Sequence, residues 1–119
     1  MVNETYKTNL ARGREFFEVY CKGKIIDIGC GPGTDAIYFA NMERITNITA
    51  IDIGKHTYSL SEDLKKINKI RIYRANAKYL PFLDDTFDSV YSYGVFHHTT
   101  NPVKCLKEAL RVLKKNKSI

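Results

Sequence analysis

The stretch Asp27-Ile28-Gly29-Cys30-Gly31-Pro32-Gly33-Thr34 decides the fold, because it joins the end of an apolar run to a glycine-rich turn. Its three glycines alternate with other residues, and each removes a Cβ where the chain must turn sharply and let a ligand approach backbone amides. A helix that begins directly after such a turn directs its positive dipole end at the same place. The stretch therefore predicts a ligand-binding loop between a strand and a helix.

Short apolar runs alternate with longer amphipathic segments on both sides of this loop. Runs rich in Ile, Val and Tyr predict four strands, over residues 24–29, 47–53, 69–75 and 87–93. Helices are predicted over residues 9–21, 34–42 and 102–113, and another is predicted to start at a capping box of Ser59 and Glu62. Strands separated by helices need crossover connections, so the sheet should be parallel with helices on both faces. The chain is thus predicted to be a doubly wound α/β layer.

The last predicted helix carries an apolar stripe, which we expect to pack on the sheet. The stripe consists of Val103, Leu106, Leu110 and Leu113.

Length and composition limit the class of protein. With 119 residues and 13.7 kDa, residues 1–119 form one domain, and 44% apolar with 27% charged residues is typical of a globular chain. No apolar run is long enough to span a bilayer, and we expect a cytoplasmic location without membrane contact. The three cysteines contain no C-x-x-C pair, which argues against a disulfide framework and a structural zinc site.

The net charge of +6 is concentrated near the C-terminus. Residues 1–100 carry 13 Lys and Arg against 12 Asp and Glu, whereas residues 101–119 carry 6 against 1. A polyanion such as a nucleic acid would therefore bind through the last helix, with contacts from Lys104, Lys107, Arg111 and Lys114. An ordinary solvated helix face is the alternative, which the lack of stacking aromatics in this segment favours.

Asp52, at the end of the second predicted strand, indicates what the loop binds. A carboxylate at this place can accept hydrogen bonds from both hydroxyls of a ribose, which predicts a nucleoside-containing ligand. Asp52 could instead cap a turn with Gly54. Thr34 stands where the dinucleotide fingerprint has its third glycine, so a nicotinamide-binding module is disfavoured.

The motifs DIGCGPGT, AID and ANAKYLPFLDDTFDSVYSYGVFHHT together resemble the class I S-adenosylmethionine-dependent methyltransferases of the type 11-like group, across roughly residues 24–115. The resemblance implies S-adenosyl-L-methionine as cofactor. It also implies a Rossmann-like parallel sheet of about four strands in the order 3-2-1-4, which lacks the family's usual C-terminal strands.

The resemblance assigns cofactor contacts along the strand ends. The loop residues Gly29, Cys30, Gly31 and Gly33 would lie against the methionine part, with Asp27 bracing the loop and the amino group. Asp52 would take the ribose and Ile53 would flank the adenine, whose edge would be read by Asn76 and Ala77, and Tyr93 would line the cavity. Asn76 replaces the family's usual aspartate, but an Asn amide can make a bidentate pair with adenine.

Methyl transfer from a sulfonium is an in-line displacement, which mainly requires alignment of the two reactants. If the acceptor must lose a proton, His97 and His98 are the candidate bases, although either could serve only in packing. We expect no metal site, because Asp84, Asp85 and Thr86 are typical of a turn into the fourth strand.

Three functions remain open. The first is an active methyltransferase on a small-molecule or RNA acceptor, the second is a noncatalytic cofactor-binding subunit, and the third, disfavoured, is the nicotinamide module. The fourth strand would form an open edge with Val90, Tyr91 and Tyr93, so we expect a homodimer or a hetero-partner to cover it.

Overall fold

The computed structural model describes residues 17, 19–92 and 100–115. Within these residues four strands and three helices occur in the places that the sequence predicts, with small shifts at the ends. The strands are β1 (Gly23–Ile28), β2 (Ile45–Asp52), β3 (Ile70–Arg74) and β4 (Ser89–Tyr91), and the helices are α1 (Thr34–Ala40), α2 (Thr57–Leu64) and α3 (Pro102–Val112). Of the helix predicted over residues 9–21, the described residues Phe17, Val19 and Tyr20 are helical and most of the rest lies outside the described part.

The strands form one parallel sheet in the order β3-β2-β1-β4, which confirms the predicted topology. The central pair aligns Asp27 with Ala50 and Ile28 with Ile51. Because all strands run the same way, their carboxyl ends meet at one edge of the sheet. The glycine loop and Asp52 therefore lie side by side.

Consecutive residues of β1 are buried on opposite faces of the sheet, as the pleat of a strand requires. Ile25 packs in a core beneath α1 and α2, whereas Ile26 and Ile28 pack in a second core beneath α3. All three isoleucines are fully buried. This confirms the layer with helices on both faces.

The start of α2 differs from the prediction. The helix begins at Thr57, whose hydroxyl donates to the Gly54 carbonyl at 2.9 Å, and Ser59 lies inside the first turn and donates to the His56 carbonyl at 3.1 Å. The capping box is therefore wrong, and Glu62 forms an ion pair with Lys65. The tight turn at Gly54 starts the helix before Ser59 is reached.

The buried face of α3 also differs from the prediction. Val103, Leu106 and Leu110 are 61%, 45% and 47% exposed, and Leu113, just after the helix, is the only member of the predicted stripe that is buried. The face on the sheet is formed by Cys105, Ala109 and Val112. Small side chains let the helix axis approach the sheet closely, so the narrower face packs and the wider one stays exposed.

The segment after α3 returns along the outer side of the segment that leads into β4. Leu113 forms a parallel bridge with Phe87, and the Lys114 amide donates to the Phe87 carbonyl at 2.8 Å. Val90 and Tyr91, expected at an open edge, have buried side chains. Asp85 has a φ of 55°, which confirms the turn predicted over Asp84, Asp85 and Thr86.

We predict that Ala109→Leu lowers the free energy of unfolding by about 1–3 kcal/mol, because the larger side chain overpacks the contact between α3 and the sheet. The matched variant Leu110→Ala on the exposed face should stay within about 0.5 kcal/mol of the parent chain. Urea denaturation followed by circular dichroism measures both. Equal effects from the two variants would contradict the observed helix face.

Candidate functional site

The glycine loop is fixed to the end of β2 by main-chain hydrogen bonds. The amides of Gly29 and Cys30 both donate to the Ile51 carbonyl, at 2.8 and 2.9 Å. The loop then closes a turn in which the Gly33 amide donates to the Cys30 carbonyl at 3.0 Å. The loop conformation is therefore set by the neighbouring strand.

Two glycines of the loop serve different purposes. Gly31 has a φ of 53°, and a Cβ built on it would meet no described heavy atom within 4 Å, so its free side faces open space. Gly33 has a φ of 83° and caps α1, and its Cβ would lie 3.3 Å from Leu64 of α2. Gly31 thus opens a crevice, while Gly33 permits the helices to pack behind it.

Asp52 holds the loop and a turn at once. Its Oδ2 accepts from the Gly31 amide at 3.0 Å and its Oδ1 accepts from the Gly54 amide at 2.9 Å. The turn that the sequence left as an alternative therefore exists. Since a carboxylate offers about four acceptor positions, two remain for a ligand.

His56 and Gly54 are site residues that the sequence analysis missed. The Nε2 of His56 lies 2.8 Å from the Gly31 carbonyl, and since a carbonyl can only accept, the ring nitrogen donates. A Cβ on Gly54 would lie 2.4 Å from the imidazole, so glycine is required where the ring folds back. The partners lie 25 residues apart, and no local pattern marks the contact.

Asp27 is a buried acid at the base of the crevice. Its side-chain Oδ2 finds no hydrogen-bond partner among the described residues. Burial, followed by repulsion from Asp35 and Asp52, raises the pKa of the Asp27 carboxyl well above its ordinary value. A cationic group placed beside Asp27 would relieve both effects.

Cys30 stays a neutral thiol. Burial, followed by the charges of Asp27 and Asp52, raises its pKa to about 12. Since the thiolate is the nucleophile, Cys30 serves as a wall of the loop.

Asp35, the residue that the sequence places in the first turn of α1, is buried. The Tyr91 hydroxyl donates to its Oδ2 at 2.8 Å. Asp35 therefore ties α1 to β4 in addition to lying at the helix start.

The predicted adenine contacts lie beside Asp52. The Ala75 amide donates to the Asp52 carbonyl at 3.0 Å, which places Asn76 and Ala77 next to it, and Ile53 is exposed there. The Asn76 Oδ1 accepts from the Lys78 amide at 2.9 Å. Its NH2 and a second lone pair on Oδ1 remain for a ligand edge.

Three predicted site residues, Tyr93, His97 and His98, lie outside the described residues. Their roles stay predictions.

The acidic residues near β4 have cationic partners. Asp84 pairs with Arg111 at 2.8 Å, Asp85 with Lys115 at 3.4 Å and Asp88 with Lys114 at 3.3 Å. No group of three or more potential metal ligands occurs within residues 17, 19–92 and 100–115. None of the helices in the same part of the chain combines the length and apolar character that a bilayer span requires.

The cations of α3 are largely engaged within the fold. Arg111 also pairs with Glu108 and donates to the Leu80 and Phe82 carbonyls at 3.0 and 2.8 Å. Lys104 stacks over Tyr79 at 5.0 Å, whereas Lys107 is exposed. Arg111 therefore holds the segment before β4 against α3. The surface that the sequence predicts for a nucleic acid on this helix thus has fewer free positive charges than predicted.

Comparison with known proteins identifies the chain's relatives. The family model described as "Methyltransferase domain" matches residues 26–119. Cycloartenol-C-24-methyltransferase 1 of Oryza sativa is 30% identical over 76% of this chain and 27% of its own length. The ubiquinone/menaquinone biosynthesis C-methyltransferase UbiE of Haemophilus ducreyi is 30% identical over 96% of this chain and 48% of its own length.

A solved structure is also similar to this chain. The YcgJ protein of Bacillus subtilis superposes with a TM-score of 0.79 at 26% identity, covering 93% of this chain and 48% of that protein. The chain thus spans less than half of the length of each of these three proteins.

We predict that Asp27→Asn raises the melting temperature of the ligand-free chain at neutral pH by a few degrees, since about 1 kcal/mol corresponds to roughly 4 °C in a domain of this size. An acid whose pKa is higher in the folded state binds its proton more tightly there, so it destabilises the fold increasingly as pH rises above its unfolded value of 3.8. The gain from Asn should therefore shrink toward pH 4 and below.

Differential scanning calorimetry between pH 4 and 8 measures this dependence, with the exposed Asp63→Asn on α2 as the matched control. A gain that is the same at every pH would show that Asp27 titrates normally.

We predict that His56→Ala speeds hydrogen exchange at the Gly31 amide roughly two- to tenfold, because a hydrogen bond contributes about 0.5–1.5 kcal/mol. His56→Gln keeps a donor and should retain most of the protection, and Lys55→Ala should have no effect. Amide exchange by NMR measures all three variants. An unchanged Gly31 amide in His56→Ala would reject the role of this ring in holding the loop.

Proposed function

This chain belongs to the methyltransferase domain family, and we propose that it takes part in methyl transfer from S-adenosyl-L-methionine to a small-molecule or RNA acceptor. S-adenosyl-L-methionine is the cofactor of this family. When bound, it supplies a methyl group on a positively charged sulfur, open to in-line displacement.

The observation that carries this proposal is the buried Oδ2 of Asp27, which has no partner among the described residues, at an open glycine loop. The cofactor carries an ammonium and a sulfonium. Either positive group could pair with a buried carboxylate in this position. We propose that Asp27 accepts from the amino group and thereby becomes ionised, because a nearby cation lowers the pKa of an acid. Gly29, Cys30, Gly31 and Gly33 would form the loop along the methionine part.

The nucleoside part would be held at the ends of β2 and β3. In this proposal the two free acceptor positions of Asp52 take the ribose hydroxyls, while Ile53 covers one face of the adenine. The NH2 of Asn76 donates to a ring nitrogen, and Ala77 leaves room for the ring edge. His56 keeps Gly31 in place while the ligand enters.

The residues that follow β4 complete the proposal. Tyr93 would line the cavity, and His97 or His98 would remove a proton from an acceptor that must lose one. The two curated relatives carry names of carbon methylation on small molecules, which favours a small acceptor for this chain. Because the chain spans less than half of their length, the acceptor class is part of the proposal.

A noncatalytic cofactor-binding subunit is the second candidate. It is favoured by the exposed apolar face of α3, formed by Val103, Leu106 and Leu110, which offers a surface to another protein chain beside β4. We propose that a second copy or a partner covers this side. If so, analytical ultracentrifugation over a concentration series should detect association of the chain alone or with its partner, and Leu106→Glu should weaken it. A monomer at every concentration would reject the homodimer.

We predict that Asp52→Ala weakens binding of S-adenosylhomocysteine roughly 10- to 100-fold, because it removes the ribose acceptor and releases the Gly31 amide. Isothermal titration calorimetry measures the affinity, with Asp63→Ala as the charge-matched control on exposed α2. NAD should give no heat. Equal affinity in Asp52→Ala and the parent chain would contradict the site.

Transfer of labelled methyl to components of a lysate then separates an enzyme from a binding subunit. Binding without transfer supports the subunit, whereas transfer that is lost in Asp52→Ala supports the enzyme.

A further inference from the structure

The segment that runs from the end of α2 through β3 carries a concentration of positive charge. Residues 65–78 hold six lysines and arginines and no aspartate or glutamate. Lys65, Lys66, Arg71 and Arg74 are exposed. This density exceeds that of α3, in which Lys104 and Arg111 contact other groups of the fold.

A cleft of about 150 Å³ opens in the middle of this charge, between α2 and the outer edge of β3. Leu64, Lys65, Ile70 and Ile72 line it on the side of α2, and Arg71 and Tyr73, which alternate with the two isoleucines along β3, line it from the other face of the strand. Among the described strands β3 pairs with β2 alone, so this edge of the sheet is accessible. We name these six residues the edge cleft.

The cations at the edge cleft are available to a ligand. The side chain of Arg71 has no hydrogen bond or ion pair with any described residue, and the partner of Lys65 is Glu62, at 2.9 Å, in a pair whose side chains are 66% and 73% exposed. Such exposed pairs contribute little and exchange readily for another anion. Two positive groups thus flank the accessible edge of β3.

Aromatic rings accompany these charges. Tyr73 is 47% exposed beside the cleft. Arg74 is held by the Ile53 carbonyl at 2.8 Å and lies 6.0 Å from the centre of the exposed Tyr58 ring. Cations interleaved with exposed rings are the combination that binds single-stranded nucleic acids, through phosphates and base stacking.

The size of the cleft favours a polymer. Pockets that enclose whole small molecules measure about 300–1,000 Å³, so a cleft of 150 Å³ fits one planar group at a time. An acidic peptide would use the cations but would have no use for the open ring faces. We propose that the edge cleft binds single-stranded RNA, with one base on the exposed side of the Tyr73 ring and phosphates on Lys65 and Arg71.

This surface goes beyond the proposed function, because Lys65, Arg71 and Tyr73 are not among the residues assigned to the cofactor. Binding of RNA can therefore be measured without cofactor, and loss of cofactor binding leaves the inference intact.

Fluorescence anisotropy with a labelled polyuridylate of about 12 nucleotides tests the proposal. We expect binding at 50 mM salt that weakens with a slope of log K against log salt of roughly −1.4 or steeper, given at least two phosphate contacts. Lys65→Gln combined with Arg71→Gln should weaken binding roughly 10- to 100-fold and flatten the slope. Tyr73→Leu should weaken binding at least about fivefold with an unchanged slope.

The matched control is Lys22→Gln combined with Lys107→Gln, which removes the same charge from exposed positions elsewhere. It should change affinity much less than the edge-cleft variant. Thermal unfolding of each variant checks that the fold is kept.

Three outcomes would overturn the proposal. The first is no anisotropy change up to about 100 µM chain, which is the weak end of non-specific binding. The second is an equal loss of affinity in the control variant. The third is displacement of the RNA by polyglutamate at equal charge concentration. The last result would assign the cleft to acidic peptides.

Discussion

The parallel pairing of β1 with β2 is the constraint on which the site depends. It aligns Ile28 with Ile51, so that the loop after β1 donates two amides to the Ile51 carbonyl and a third to Asp52. Two segments that are separate along the chain become one polar unit in this way. The unit positions Gly31 at an open crevice, and His56 fixes it from the far side. Every described residue proposed to hold the cofactor is placed relative to this unit.

The same unit carries unfavourable electrostatics. Asp27 is buried near Asp35 and Asp52, and its Oδ2 lacks a partner among the described residues. A fold selected only for stability would have a neutral residue there. The arrangement is consistent with a site shaped for a cationic ligand, since the binding of such a ligand would recover the energy of the buried acid. Exposed cations of the described residues lie along the edge of β3, and Arg111 forms ion pairs at α3.

The predictions from sequence were wrong where a helix had two apolar faces or two possible start residues. In α3 both faces contain apolar residues, and the larger leucines indicated the stripe, but the small Cys105 and Ala109 pack against the sheet. For α2, a capping pattern at Ser59 was overridden by the turn at Gly54, where Thr57 already provides the first helical residue. Dividing the net charge between residues 1–100 and 101–119 likewise hid the basic run over residues 65–78, because acidic residues elsewhere in the first hundred balance it.

The amino-acid order by itself determined the alternation of strands and helices, the glycine loop and the acid after the second strand, because each of these is encoded by local spacing and by residue type. The strand order then followed from the resemblance to a known family. Tertiary structure alone decided that Asp52 binds Gly31, that His56 reaches the same glycine and that one oxygen of Asp27 has no partner in the described part of the chain. Those contacts join residues 21 and 25 positions apart, or depend on how completely neighbours exclude water, and neither property is written in any local pattern.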